Sequence, residues 1–246
     1  MKIIINGKII TKEELDKWKK KRCVKAFKLL NSKVDMNDDV DTMVKKLTDI
    51  KMGYTYEKLL VVLKSKLALS EKLMKVATSM SLGKRKFSIT EIEVKGISAK
   101  EMISEIDKLM LVQSRENDRV NLSAHPEHYA LRPLGGNTLE VIETTGNSPL
   151  PVQFFIDYGD ETGLQTPRDY SYEYQSAGIA KLKDGTLIGG VKHQFKETED
   201  GFKARLVVEF PAICPGMIIK EHQMHLACEF SSWFNWIISQ KSKKIN

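Results

Sequence analysis

Residues 215–233 read PGMIIKEHQMHLACEFSSW. Pro215 and Gly216 punctuate the chain, and from Ile218 onward the apolar residues recur at helical spacing, which predicts one helix from about Ile218 to the Lys241 region. His222, His225 and Glu229 fall at i, i+3 and i+7, on the face that carries Leu226, Phe230 and Trp233. Ligand-type side chains on an apolar face are costly unless something satisfies them. His225 and Glu229, four residues apart, can reach a single divalent ion. The competing reading is that His222 and His225 bond to nearby backbone.

Upstream of this helix the pattern changes. Val120–Ala124, Leu139–Thr145, Val152–Tyr158, Ala177–Leu182, Thr186–Phe195 and Lys203–Phe210 alternate or run apolar between turn signals such as Gly146-Asn147, Asp184-Gly185 and Asp200-Gly201. Asp-Gly turns at regular spacing predict antiparallel hairpins. Hairpins followed by one long helix predict an α+β fold in which the helix packs across the sheet, with room for a cavity between them.

The first half reads as mainly helical. Ile3–Ile5 and Ile9–Ile10 flank the hairpin signal Asn6-Gly7, and Thr11 with Glu14 makes a capping box at the start of a helix. A second helix begins after Asn37. A third runs roughly Tyr56–Met80, with Leu59, Leu60, Leu63, Leu67, Leu73 and Val76 as its apolar stripe. Phe87–Val94 alternates like a strand, and Ser98 with Glu101 caps a helix to about Leu111. Two regions are expected: residues 1–119, a helical assembly or interaction module, and residues 120–246, a catalytic or ligand-binding domain. The apolar stripes of the first region predict self-association into a homo-oligomer.

Charge and chemistry divide at the same place. Residues 1–119 carry a net charge of +10 and residues 120–246 carry −3, and all five histidines lie in the second segment. His128 belongs to His125-Pro126-Glu127-His128-Tyr129, a motif that is weak alone. His193 shares a strand face with Val191 and Phe195, so it points toward the expected cavity, where it either transfers a proton or is a core histidine bonded to a neighbouring carbonyl. Glu143 ends an apolar row after Leu139 and Val141, where a carboxylate either asks for a cation or reaches solvent at the strand end, while Glu140 lies on the opposite face and is expected at the solvent side. Asp157 is a candidate for a supporting role near an ion. Tyr158, Tyr170, Tyr172 and Tyr174 are candidates for an aromatic rim.

The pattern His225-x-x-x-Glu229 on a terminal helix, the hairpin sheet before it and Pro126-Glu127-His128-Tyr129-Ala130-Leu131 at its start resemble the phloretin hydrolase and 2,4-diacetylphloroglucinol hydrolase family, over roughly residues 120–240. The resemblance implies a helix-grip, START-like fold. It also implies one zinc held by two His and two Glu, hydrolysis of a carbon–carbon bond next to a phenolic ring, and a dimer supported by the helical first half. His225 and Glu229 carry over directly; His128 and Glu143 are the matching candidates for the other pair. His125, His193 and His222 are the reserve ligands.

Several classes lose ground. At 41% hydrophobic and 29% charged the composition is that of a globular protein. No long uncharged apolar stretch spans a membrane, and no membrane partner is expected. Cys23, Cys214 and Cys228 are too scattered for a disulfide framework and read as reduced thiols in a cytoplasmic protein. There is no GxGxxG, P-loop, GxSxG or paired CxxC. Two alternatives to a zinc-dependent hydrolase remain open. One is a small-molecule-binding module without catalysis. The other is a ligand-responsive transcription regulator using Lys17, Lys19–Arg22 and Lys84–Lys86, although a solvated helix face explains those cations more simply and a nucleic-acid partner is not expected.

Overall fold

The structure, a computed structural model, describes residues 1–245. A hairpin of β1 (Lys2–Ile5) and β2 (Lys8–Ile10) turns on Asn6 and Gly7, both at positive φ. Helix α1 (Lys12–Leu29) opens with the expected capping box, in which Thr11 Oγ1 accepts from the Glu14 N–H and the Glu14 carboxylate accepts from the Thr11 N–H. Asp39 caps α2 (Val40–Met52) and Thr55 caps α3 (Tyr56–Met80). Then come β3 (Arg85–Lys95), α4 (Ala99–Leu111) and α5 (Arg115–Ala124). Six strands follow: β4 (His128–Pro133), β5 (Thr138–Glu143), β6 (Val152–Tyr158), β7 (Tyr174–Lys181), β8 (Leu187–Thr198) and β9 (Gly201–Pro211). The chain closes on α6 (Gly216–Ile245), the long helix read from the sequence.

The strands form one nine-stranded antiparallel sheet in the order β2-β1-β3-β9-β8-β7-β6-β5-β4. Helix α6 packs across it. Its Leu226, Phe230, Trp233, Phe234 and Ile237 are buried in one core with Ile92 and Val94 of β3, Phe195 of β8 and Phe202 and Leu206 of β9. A second core, built by Cys23, Phe27, Met43, Leu47, Leu59 and Leu63 of α1–α3, takes in Tyr129, Ala130 and Ile142 of β4 and β5. These two strands therefore carry helices on both faces. No helix among the described residues is long and apolar enough to cross a membrane.

The sheet crosses the division expected at residue 119/120. β3 pairs along its whole length with β9, and β1 pairs with β3, so strands from both halves share one ladder. Val120–Ala124 is helix, not strand. Its period-2 pattern is overridden by the Ser114 cap, whose side chain accepts from the Asn117 N–H, and by packing against α2, α6 and β4. The strand that starts the second half is instead β4, whose first four residues are buried on both faces and so show no alternation. The stripe read on α3 is also split. Leu59, Leu63 and Leu67 are buried, whereas Leu73 and Val76 are exposed.

The shared ladder has a consequence. Residues 120–246 expressed alone would leave the β9 edge and the α6 core face uncovered, so this fragment is expected to show no cooperative urea transition by circular dichroism. A sharp transition in the fragment would show that the two halves are independent units.

Candidate metal centre

The site forms where three elements meet: the turn into β4, the end of β5 and the middle of α6. β4 and β5 pair with His128 directly opposite Glu143, and a bulge follows between His128 and Ala130. From α6, His225 and Glu229 face the same point. One ligand atom of each of these four buried residues lies within 4.8 Å of the others. His128 Nε2 is 3.1 Å from Glu229 Oε2 and 3.6 Å from Glu143 Oε2. His225 Nε2 is 3.6 Å from Glu229 Oε2 and 3.7 Å from Glu143 Oε2. All four residues named from the sequence as metal ligands are thus brought together.

The hydrogen bonding fixes what these atoms can do. His128 Nδ1 lies 2.9 Å from the Asn121 carbonyl oxygen. A carbonyl only accepts, so Nδ1 carries the proton and donates, which leaves the Nε2 lone pair of the neutral ring aimed at two carboxylates. Acceptor facing acceptor is repulsive unless a cation stands between them. Among the described residues, His128 Nε2 and both ring nitrogens of His225 have no hydrogen-bond partner despite complete burial. A metal-bound histidine commonly donates its other N–H to a carbonyl in this way. The spacings also suit an ion: tetrahedral bonds of about 2.0–2.1 Å put ligand atoms roughly 3.3–3.4 Å apart. The donor set therefore fits a divalent metal.

Electrostatics point the same way. Burial by itself would raise the Glu229 carboxyl, but the His128 and His225 rings beside it hold it well below the usual carboxylate range. For His225 burial disfavours the charged ring, yet Glu143 and Glu229 more than offset this and raise it. His125 and His222 are pushed far down, mainly by burial and then by His225. His193 is pushed down to about 4 by burial, so it is neutral at pH 7.

The reserve histidines sit around the cluster. The His125 ring stacks on His225 with centroids 3.7 Å apart, and its Nδ1 accepts from the Glu127 N–H. His125, His128 and His225 also form a three-histidine grouping of their own. His222 stacks on the other side of His225 at 5.0 Å and bonds to Ser88 Oγ. His193, on β8, packs edge-on against Phe230 and has a buried Nδ1 without a partner among the described residues.

The first half of the chain supplies the clamps, which the sequence did not disclose. Lys51, at the end of α2, is buried with its Nζ donating to the carbonyls of Leu122 (2.6 Å), His128 (2.9 Å) and Pro126 (3.2 Å), so it gathers the turn that carries His125 and His128. Burial pushes it down to about 7. Arg22 of α1 forms a buried ion pair with Glu127 at 2.5 Å and also reaches Asn147, beyond Glu143. There the loop passes so close to α6 that a Cβ on Gly146, at φ +59°, would lie 2.7 Å from the Ile218 carbonyl. Two cations of the basic half are therefore structural, and Lys20 is bonded to the carbonyls of Met36 and Asp38. β3, which starts among the cations Lys84–Lys86, is an internal strand of the sheet.

A cavity of about 740 Å³ lies between sheet and helices. Val141, Phe154, Phe195, Phe230 and Trp233 give it an apolar wall, and Glu143, Glu229, His193 and His222 bring polar groups to it. Of the four tyrosines expected at its rim, Tyr158 lines it. Tyr170 is fully exposed, Tyr172 is buried elsewhere and Tyr174 lies over a shallow neighbouring groove. Glu140 is not at the solvent side: α3 covers that face, and Tyr56, Arg132 and Gln153 all donate to its buried carboxylate. Asp157 pairs with Lys181 and Thr138, away from the metal cluster.

No protein-family model and no curated protein matches the chain. Among solved structures, Ara h 8.0201 is similar at 12% identity over 63% of this chain and 99% of its own, with a TM-score of 0.42. Protein Ms6760 from Mycobacterium smegmatis matches at 15% identity over 62% of this chain and 90% of its own, with a TM-score of 0.33. A conserved protein from Geobacillus kaustophilus matches at 13% over 64% and 96%, also at 0.33. Likenesses this loose identify neither family nor function.

Two outcomes are expected at this site. Lys51→Met orphans carbonyls on the turn that carries His128 and should weaken metal affinity about tenfold, the scale of losing a supporting contact, measured by competition with a chromophoric chelator. Because Glu143 and Glu229 raise His225 in the metal-free protein, a proton competes with metal for that ring. Affinity should therefore fall as pH drops through the raised His225 pKa, with proton release on binding detectable by calorimetry in buffers of different ionisation enthalpy.

Proposed function

We propose that the protein is a zinc-dependent hydrolase acting on a small aromatic, phenolic ketone in the cavity between sheet and α6, in a helix-grip arrangement. The observation that carries this is the convergence of His128, Glu143, His225 and Glu229, with the inward ring nitrogens unpartnered and the two carboxylates lining an apolar cavity. Two imidazoles and two carboxylates without a thiolate suit zinc. When bound there, the metal would polarise a carbonyl oxygen and lower the pKa of water.

The residues of the chain do the rest. Phe154, Phe195, Phe230 and Trp233 offer flat apolar surface to an aromatic ring and exclude bulk water. The reaction adds water across the bond between the carbonyl carbon and the ring, leaving a carboxylic acid and a ring carbon that takes a proton. His193, neutral and with a free Nδ1, is placed on the cavity wall to accept a proton and pass it on. The size and apolar lining of the cavity also suit a second reading, a small-molecule carrier without catalysis.

Elemental analysis of protein purified without chelators should find one equivalent of zinc. His225→Ala and Glu229→Ala should each lose it with an unchanged circular dichroism spectrum, and with it hydrolysis of an acylphenol. His193→Ala should keep the zinc and lose about 10²-fold or more in kcat, the usual range for a proton-transfer group. Stoichiometric zinc in Glu229→Ala would refute the ligand assignment. Wild-type protein that neither carries nor takes up metal would leave the carrier reading.

A further inference from the structure

Helix α3 exposes an apolar stripe on which none of the described residues rests. Leu69, Leu73, Val76 and Met80 recur at helical spacing, each at least half exposed, and Leu82 just beyond the helix is 85% exposed. The stripe continues onto the segment before α6, where Ile213 and Met217 are also exposed. The two segments are joined: the Ile213 N–H donates to Ser81 Oγ, the Ala212 N–H to the Lys84 carbonyl, and Lys86 Nζ to the Cys214 carbonyl. A single soluble domain rarely leaves so many large apolar side chains together without a use for them.

Two further observations say what covers this patch. First, it opens into the cavity. Leu73 and Ile213 are both exposed to solvent and part of the cavity lining, and Met74 and Ala77 of the same helix line it too. Second, the segment that carries the stripe is basic. Residues 56–86 contain eight Lys and Arg against two Glu, a net +6. Lys72, Lys84 and Lys86 are exposed alongside the apolar side chains. Two copies of such a face would repel each other, whereas an apolar stripe edged with lysine complements an anionic bilayer, into whose surface the stripe can sink while the lysines meet the headgroups.

We propose that this face docks the protein peripherally on an anionic phospholipid membrane, with the cavity mouth against the lipid, so that apolar molecules dissolved in the bilayer enter without crossing water. The expectation of no membrane partner rested on the lack of a spanning segment, which a surface-bound protein does not need. The docking surface does not depend on the metal centre, and its test reads lipid binding rather than activity.

The test is co-sedimentation of the full-length chain with vesicles of phosphatidylcholine alone and of phosphatidylcholine containing about a quarter phosphatidylglycerol. Binding is expected to the anionic vesicles, weak or absent on the neutral ones, and suppressed by about 0.5 M salt. Met80→Glu combined with Leu82→Glu should reduce the partition coefficient about tenfold or more, while circular dichroism and metal content stay as in the wild type. Val61→Glu, an exposed position earlier on α3 and off the stripe, should bind like the wild type. Equal binding to both vesicle types, or binding unaffected by the double substitution, would overturn the proposal. So would a wild-type dimer in sedimentation equilibrium that the double variant converts to monomer without any vesicle binding, because the face would then be buried between copies.

Discussion

Two carboxylates and the lone pair of the His128 ring face one another inside a folded chain, with the buried, unpartnered His225 ring beside them. The decisive bond is the donation from His128 Nδ1 to the Asn121 carbonyl, because it turns the Nε2 lone pair toward Glu229 and Glu143. Burying such a set is costly unless a positive charge, from a metal or a ring proton, stands among the carboxylates. The surrounding structure is arranged to keep the set in place all the same. α6 presents His225 and Glu229 one turn apart, and the β4–β5 register puts His128 against Glu143.

The helical first half makes sense as a brace for that arrangement. Arg22 and Lys51 reach from α1 and α2 under the turn that carries His125 and His128, and each is buried with its charge met by a carboxylate or by carbonyls. Breaking a buried pair such as Arg22–Glu127 leaves an uncompensated charge, which typically costs about 3–5 kcal/mol. The same helices back the outer side of β4 and β5, so the strands that hold half of the ligands are packed on both faces.

How much of this could be read in advance depended on how local the signal was. The capping box at Thr11, the Asn6-Gly7 hairpin and the period of α6 are written in neighbouring residues, and each is found where the pattern puts it. The ligand pair His225 and Glu229 shares one helix face, so its geometry is implicit in spacing. His128 and Glu143 needed the register of two strands, which spacing does not contain; they came from the family resemblance and from the burial of a carboxylate at the end of an apolar row. Lys51, Arg22 and Asn121 could not be found this way, since their roles exist only once α1, α2 and α5 fold back onto β4. Val120–Ala124 misled for the opposite reason: a short alternating run is ambiguous, and the cap at Ser114 settled it as helix. Glu140 was misplaced because its outer face is covered by a helix from elsewhere in the chain.

The central claim is that one ion is held by His128, Glu143, His225 and Glu229. X-ray absorption at the zinc edge on the purified, chelator-free protein tests it most directly. The expected result is a shell of nitrogen and oxygen alone at about 2.0–2.1 Å with the outer scattering of two imidazole rings. Sulfur in that shell, imidazole scattering from three rings, or zinc surrounded by water-like oxygen with no imidazole signal would contradict it.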